Sequence, residues 1–264
     1  MSDIRAAAVA GYFYPEDPLT LRAAVKSYLA GAEDRPGRLP KAVVVPHAGY
    51  VYSAPVAASV YRLLQSARSR IRRVVLAGPA HRVAVQGAAL SAAREFHTPL
   101  GAVEVDPDTQ ARLGDLPQVA VSAPAHRHEH SLEVQLPFLQ ALFEDFALAP
   151  VLFGRANPRS AAEVLRRLWG GEETLVVVSS DLSHYHDYET ARRIDAETTA
   201  AICALDYDSI GPLQACGCVA LGGLLLLAQR QGMRVEALDV RNSGDTAGTR
   251  DRVVGYGAYA FYES

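Results

Sequence analysis

The sequence is poor in the features that mark special classes of protein. Cysteine occurs 3 times in 264 residues. An odd count gives no closed disulfide framework, so a reducing, cytoplasmic setting is the expectation. No stretch reaches the roughly 18 consecutive apolar residues of a membrane span; the longest apolar tract, 219–228, is too short and is interrupted by glycine. The start, Met1-Ser2-Asp3-Ile4-Arg5, lacks the basic opening and apolar core of a secretory signal. Charge of one sign is not in excess. Lys+Arg number 26 and Asp+Glu 29, a formal net charge of −3, which argues against a nucleic-acid partner. Internal repeats and low-complexity tracts are absent. Hydrophobic residues at 49% with 21% charged are instead the balance of a globular chain, long enough to bury a sizeable core. Against 2 Met and 1 Trp stand 8 His, so imidazole is where chemistry is expected.

Short β-branched runs bounded by turn residues read as buried strands: 42–45, 74–77, 87–90, 149–153, 175–178, 235–240 and 253–261. Between them fall helical patterns. These are 19–29, then 54–64 with Ser53 as cap and Pro55 in the first turn, 132–143 with a kink or restart at Pro137, 161–168, 188–205, and a nearly all-apolar 218–231. The charged segment 31–40 reads as a loop after the first helix. Alternating strands and helices imply a single α/β domain over 1–264, with a largely parallel or mixed central sheet flanked by helices.

Three of the strands run into histidines: Val43-Val44-Val45-Pro46-His47, Val74-Val75-Leu76-Ala77-Gly78-Pro79-Ala80-His81, and Val176-Val177-Val178-Ser179-Ser180-Asp181-Leu182-Ser183-His184. Ligands of open α/β sheets bind outside the carboxyl ends of the strands, so parallel strands would gather His47, His81 and His184 at one edge. Asp245, in Asn242-Ser243-Gly244-Asp245 after a fourth strand, could add a carboxylate. Imidazoles with a carboxylate suit a divalent transition metal. Pro46 and Pro79 would stiffen these loops, and Gly49 and Gly78 would allow close backbone approach. His130 opens Glu129-His130-Ser131-Leu132-Glu133, where Ser131 can cap a helix and Glu133 can orient the imidazole. His97 reads as a surface turn, His126 and His128 as solvent-facing, and His186 as pointing away from His184. Cys216-Gly217-Cys218 reads as small residues packing at a helix start, with a reactive thiol as the alternative.

At these residues the chain resembles the Memo-like proteins, the B component of the prokaryotic AmmeMemoRadiSam system. The likeness runs through Ala8–Pro15, Pro46-His47-Ala48-Gly49-Tyr50-Val51-Tyr52-Ser53, Gly78-Pro79-Ala80-His81, Glu129–Glu133, Ser179–Tyr185, Asn242–Asp245 and Val254-Gly255-Tyr256. The resemblance implies a fold similar to class III extradiol dioxygenases. His47 and His81 then match metal ligands, His184 matches the acid/base histidine, and Asp181 lies in the same pocket. Animal relatives carry a cysteine as third ligand near the C-terminal motif. Here Asp245 stands there, with Ser243 and Gly244 as alternatives, which gives two His and one carboxylate. The expectation is an Fe(II) site, with Zn(II) or Cu as alternatives, that takes O₂ and a small aromatic or diol substrate. His184 would move the proton, Asp181 or His130 would orient it, and Tyr50, Tyr185 and Glu133 would line the substrate pocket. Two other functions follow from the same resemblance: a non-catalytic peptide or phosphopeptide adaptor, and an accessory to radical-SAM and AMMECR-type partners.

Overall fold

The valine-rich runs lie side by side in the middle of one mixed sheet. The computed structural model describes residues 3–35 and 37–263. Its strands, in chain order, are β1 (Ile4–Arg5), β2 (Ala42–Val45), β3 (Arg73–Pro79), β4 (Ala88–Leu90), β5 (Glu95–Thr98), β6 (Gly101–Glu104), β7 (Val119–Val121), β8 (Ala147–Phe153), β9 (Thr174–Ser179), β10 (His184–His186), β11 (Arg234–Asn242) and β12 (Val253–Tyr262). The large sheet runs β10-β12-β2-β9-β3-β8-β4-β7, with β11 paired to β12, and a small sheet runs β1-β5-β6. At the centre β2, β9, β3 and β8 are mutually parallel. Val43 pairs with Val177, and Val75 with Val176 and Ala149.

Both faces of these four strands are covered, which is why they are apolar at successive positions rather than alternating. Val43, Val45, Val74, Leu76 and Val177 face a core shared with helices Pro18–Gly31, Tyr50–Tyr61 and Leu136–Leu142. Val44, Val75, Ala77, Val176 and Val178 face the other core, shared with helices Pro158–Leu168 and Cys218–Arg230. The alternation is the two-residue period of a strand. The antiparallel partner of β2 is β12, with Tyr259 opposite Val44, so the last strand closes against the first strand of the large sheet. Among the described residues no helix is long and apolar enough to cross a membrane.

Most of the expected elements are present within a few residues, and the chain does restart at Pro137, where a 3₁₀ turn (Glu133–Gln135) passes into the helix Leu136–Leu142. One cap differs. The second helix starts at Tyr50, with Ser53 inside it and donating to Ala48 O at 2.7 Å. Pro55 is therefore internal, where its missing N–H leaves Val51 O without an i+4 donor. The small sheet and the strands β7 and β10 were not among the expected strands.

Helices Pro158–Leu168 and Cys218–Arg230 cross closely because Gly223 has no side chain. A Cβ there would lie 2.6 Å from Ala161 Cβ and 2.8 Å from Ala162 N. Gly223→Val should lower unfolding free energy by about 2–3 kcal/mol through overpacking, read as a lower urea midpoint at unchanged m-value. An unchanged midpoint would show that the helices can separate freely.

Candidate metal and ligand cleft

Three parallel strands deliver the site. His47 lies two residues beyond β2, His81 two beyond β3 and Asp181 two beyond β9. Because these strands run in one direction, the three side chains emerge at one edge. His130 joins them from the turn after helix Ala123–Arg127. The ring centroids of His47, His81 and His130 are 5.0–5.5 Å apart, at the floor of a cleft of about 930 Å³ that Asp181, His184 and Cys216 also line.

Hydrogen bonds fix the tautomers. Tyr61 Oη donates to Gln135 Oε1 at 2.8 Å, so the Gln135 amide nitrogen turns the other way and donates to Pro46 O and Ser179 Oγ. Ser179 Oγ spends its only proton on Ser131 O at 2.6 Å. It therefore accepts from His47 Nδ1, 2.9 Å away, and His47 Nε2 is left with its lone pair free. His81 is set by Glu129. Its Nδ1 lies 3.0 Å from Glu129 Oε1, an arrangement in which the carboxylate holds the Nδ1 proton and Nε2 is the ring nitrogen that Glu129 does not engage. The same carboxylate accepts the backbone N–H groups of His81, Arg82, His130 and Ser131. Burial works against the charge of Glu129, but the bonds from His81 and Ser131 outweigh it and hold the carboxyl down to about 2. Burial, then the neighbouring His81, pushes the His47 imidazole down to about 3. Burial, then His47, takes His130 to about 4. Both are neutral near pH 7.

Cys216 completes the floor. Its Sγ is 3.3 Å from His47 Nε2 and takes the Asp181 N–H, also at 3.3 Å. His47, His81 and Cys216 each offer one donor atom within 4.8 Å of the others. The loop reaches the end of β9 because Gly217 follows. A Cβ there would sit 2.7 Å from Ser180 Cβ and 2.8 Å from Ser179 O. Burial, and then the charge of Asp181, pushes the Cys216 thiol far up. Asp181 Oδ1 accepts the His47 N–H at 2.7 Å, and its own carboxyl is raised by burial.

Nearly the whole length of the chain is matched by relatives. Residues 5–260 match the family profile described as Memo-like protein. A MEMO1 family protein of Archaeoglobus fulgidus is 38% identical over 96% of this chain and 97% of its own. One of Methanosarcina mazei is 37% identical over 97% and 98%, and one of Thermoplasma acidophilum 35% over 96% of each. The chain belongs to the Memo-like family.

In this Memo-like chain the structure brings together His47, His81, His130, Asp181, His184 and Tyr185, all of which line the cleft. It does not bring Asp245 there. Asp245 is the third residue of the short helix Ser243–Thr246, where its carboxylate accepts the Asn242 N–H at 3.0 Å and the Tyr188 hydroxyl. Asn242-Ser243-Gly244-Asp245 is a capping box, and that role turns Asp245 away from the histidines. Glu133 is not a pocket residue either. It is fully buried and accepts from Arg5, Tyr14 Oη and the N–H groups of Ala8 and Val9. Tyr50 is buried in the core and donates to Val134 O at 2.9 Å. His126, expected at the surface, is buried with Nε2 2.9 Å from Ala89 O. His97 lies in β5, paired with Glu95. Gly78 does sit against Leu132 and Ser131, within 3.1 Å of a would-be Cβ, whereas Gly49 has only ordinary contacts.

Sequence reasoning missed two residues. Glu129 was legible only as part of its motif, although a glutamate beside a histidine in a loop is a standard orienting pair. Cys216 carried a weak signal, because no strand leads to it.

Glu129→Gln would turn an amide NH₂ toward N–H donors that now meet a carboxylate. The expected loss is about 2–4 kcal/mol of stability, read by urea denaturation. The sign with pH follows from the lowered carboxyl. Its contribution is fully present above the ordinary value of 4.5 and is lost as pH falls toward about 2. The acid limb of the wild-type stability curve should therefore be shallower in the variant. Equal stability of the two proteins would remove Glu129 from its organising role.

Proposed function

We propose that the cleft is a metal centre and that the protein is a metal-dependent enzyme acting on a small molecule. One observation carries the reading: two imidazoles, each with Nδ1 engaged by a fixed partner, meet a thiol at mutual distances of 4.8 Å or less. Neutral imidazole and cysteine sulfur are ligand types for iron, zinc and copper alike, so Fe(II) is kept as the first candidate and Zn(II) and Cu as the others. A second grouping, His81 with Glu129 and His130, is less suited, because the Glu129 oxygens already accept five N–H groups. In this reading His47, His81 and Cys216 are the donors, and Asp245 is not.

A bound divalent metal would polarise a substrate oxygen and bring O₂ or water beside it. The chain supplies the rest. Ser179 and Glu129 keep the two imidazoles aimed. His184, on the wall of the same cleft, would accept a substrate proton and return it. His184 is turned by a bulge: the pairing with β12 shifts between His184 and His186, and Tyr185 between them has φ 61°. A non-glycine residue held in that region marks a backbone under local constraint. The proposed reaction class is an oxidoreductase; with Cys216 in place of Asp245 the donor set departs from the two-His, one-carboxylate pattern of the extradiol dioxygenases, and that type is one outcome of the substrate panel below. Radical-SAM and AMMECR-type proteins are the partners to seek by co-purification.

The test is metal analysis of anaerobically purified protein, then titration of chelator-treated protein with Fe(II), Zn(II) and Co(II). One equivalent should bind, and Co(II) should give a thiolate charge-transfer band that Cys216→Ser abolishes. His47→Ala or His81→Ala should weaken binding by roughly 100-fold or more, and Asp245→Asn should leave it unchanged. O₂ uptake over a panel of catechols and related diols then reads the activity. No bound metal, with thermal stability indifferent to added metals, would sink the proposal.

A further inference from the structure

The cleft above the histidines is walled by aromatic rings, among them Tyr12, Phe13, Tyr52, Tyr185 and Tyr256. Tyr12 and Tyr185 are largely exposed at its mouth, 89% and 64%. Burying them against a flat ligand would cover apolar surface that water now wets. Charge on the walls is sparse and asymmetric. Among the described residues lining the cleft, Arg252 is the only lysine or arginine and Asp181 the only carboxylate. Asp181 is buried and committed to the His47 backbone, so the charge that a ligand meets at the rim is the guanidinium.

Arg252 is also placed. It immediately precedes β12, whose Val254 and Val253 pair with His184 and His186. The guanidinium lies over the ring of Tyr185, 5.2 Å from its centroid, the same residue that bridges the bulge at His184. A stacked guanidinium keeps its edge N–H groups free for a planar acceptor. The ring beneath holds it in position without neutralising it.

We propose that Arg252 is a specificity determinant and that the ligand of this cleft is an aromatic carboxylate. Its ring lies among the tyrosines, its carboxylate pairs with Arg252 at the rim, and its other end points to the imidazoles. A single guanidinium matches one planar monoanion, whereas a phosphate dianion would bring a second charge that no other lysine or arginine among the described lining residues meets. The inference rests on the reading of the cleft as a small-molecule site, but not on the metal.

The test uses full-length, chelator-treated protein and two probes of one shape, 3-phenylpropionate and 3-phenylpropionamide, titrated calorimetrically. The carboxylate should bind roughly ten-fold tighter than the amide, the size of one charged hydrogen-bonded pair. Arg252→Met, which keeps a long apolar stem over Tyr185, should erase that preference, and Arg252→Lys should keep part of it. Unfolding midpoint and Co(II) binding should not change in either variant. Equal binding of the two probes, a preference that survives Arg252→Met, or no binding of either would overturn the assignment. So would phenyl phosphate binding more tightly than the carboxylate. Loss of the metal reading alone would show in the Co(II) titration and leave this preference standing.

Discussion

A single buried carboxylate organises the site. Glu129 accepts five N–H groups, from two loops that the sheet alone would leave independent: the loop of His81 and Arg82, and its own loop of His130 and Ser131. Four residues on, Glu133 does the same for the N-terminal segment, through Ala8, Val9, Tyr14 and Arg5. Two carboxylates in so little space need a cation between them. Arg5 provides it by bonding Glu133 together with the backbone carbonyls of Glu129 and His126. Buried acids of this kind are tolerated because every lone pair has a donor. The consequence reaches the cleft, since the N-terminal turn carries Tyr12 and Phe13, and Phe13 packs on His130 with ring centroids 4.8 Å apart.

The parallel centre of the sheet supplies direction, and the polar network supplies aim. β2, β3 and β9 place His47, His81 and Asp181 at one edge at the same two-residue offset. That alone would leave each imidazole free to rotate and to choose its proton. Ser179 and Glu129 remove both freedoms, and Gln135, oriented by Tyr61, removes that of Ser179. The floor is thus preorganised by residues that never face the cleft, a division of labour expected where ligands must be presented in one geometry.

What the sequence made legible follows from where each signal lives. The central strands are local signals, valines in runs, and they placed His47 and His81 because a residue just past a strand inherits the direction of that strand. The helix Cys218–Arg230 was legible because nearly all its residues are apolar. The small β1-β5-β6 sheet escaped because its strands have two to four residues and mix polar with apolar side chains, too short and too varied for a strand pattern to register. Cys216 escaped for a different reason. It reaches His47 only because Gly217 lets its loop lie on Ser179 and Ser180, a contact between segments about 36 residues apart that no periodicity encodes. Asp245 shows the converse. Its position after a strand invited a ligand role, yet the three-residue spacing from Asn242 is itself a capping signature, and the local hydrogen bonds prevailed.

The exchange of Asp245 for Cys216 changes the electrostatics of the floor. A carboxylate at the edge of the cleft would carry its charge with or without a cation. A thiol does not: here burial and the adjacent Asp181 both oppose its ionisation, and Asp181 is itself resisted by burial. Neutral imidazoles at His47 and His130 add no compensating positive charge. The floor therefore carries little net charge by itself, and ionising Cys216 beside Asp181 would set two anions against each other in a poorly solvated space. Under the proposed metal reading, a divalent cation reverses that balance, because a coordinated thiol surrenders its proton. Affinity would then rise with pH for a reason rooted in Cys216 rather than in His47, whose imidazole is already neutral near pH 7. The same logic separates the roles of the two acids in the motifs. Asp181, bonded to the His47 backbone, sets the potential at the sulfur, whereas Glu129, saturated with N–H donors, spends its charge on geometry.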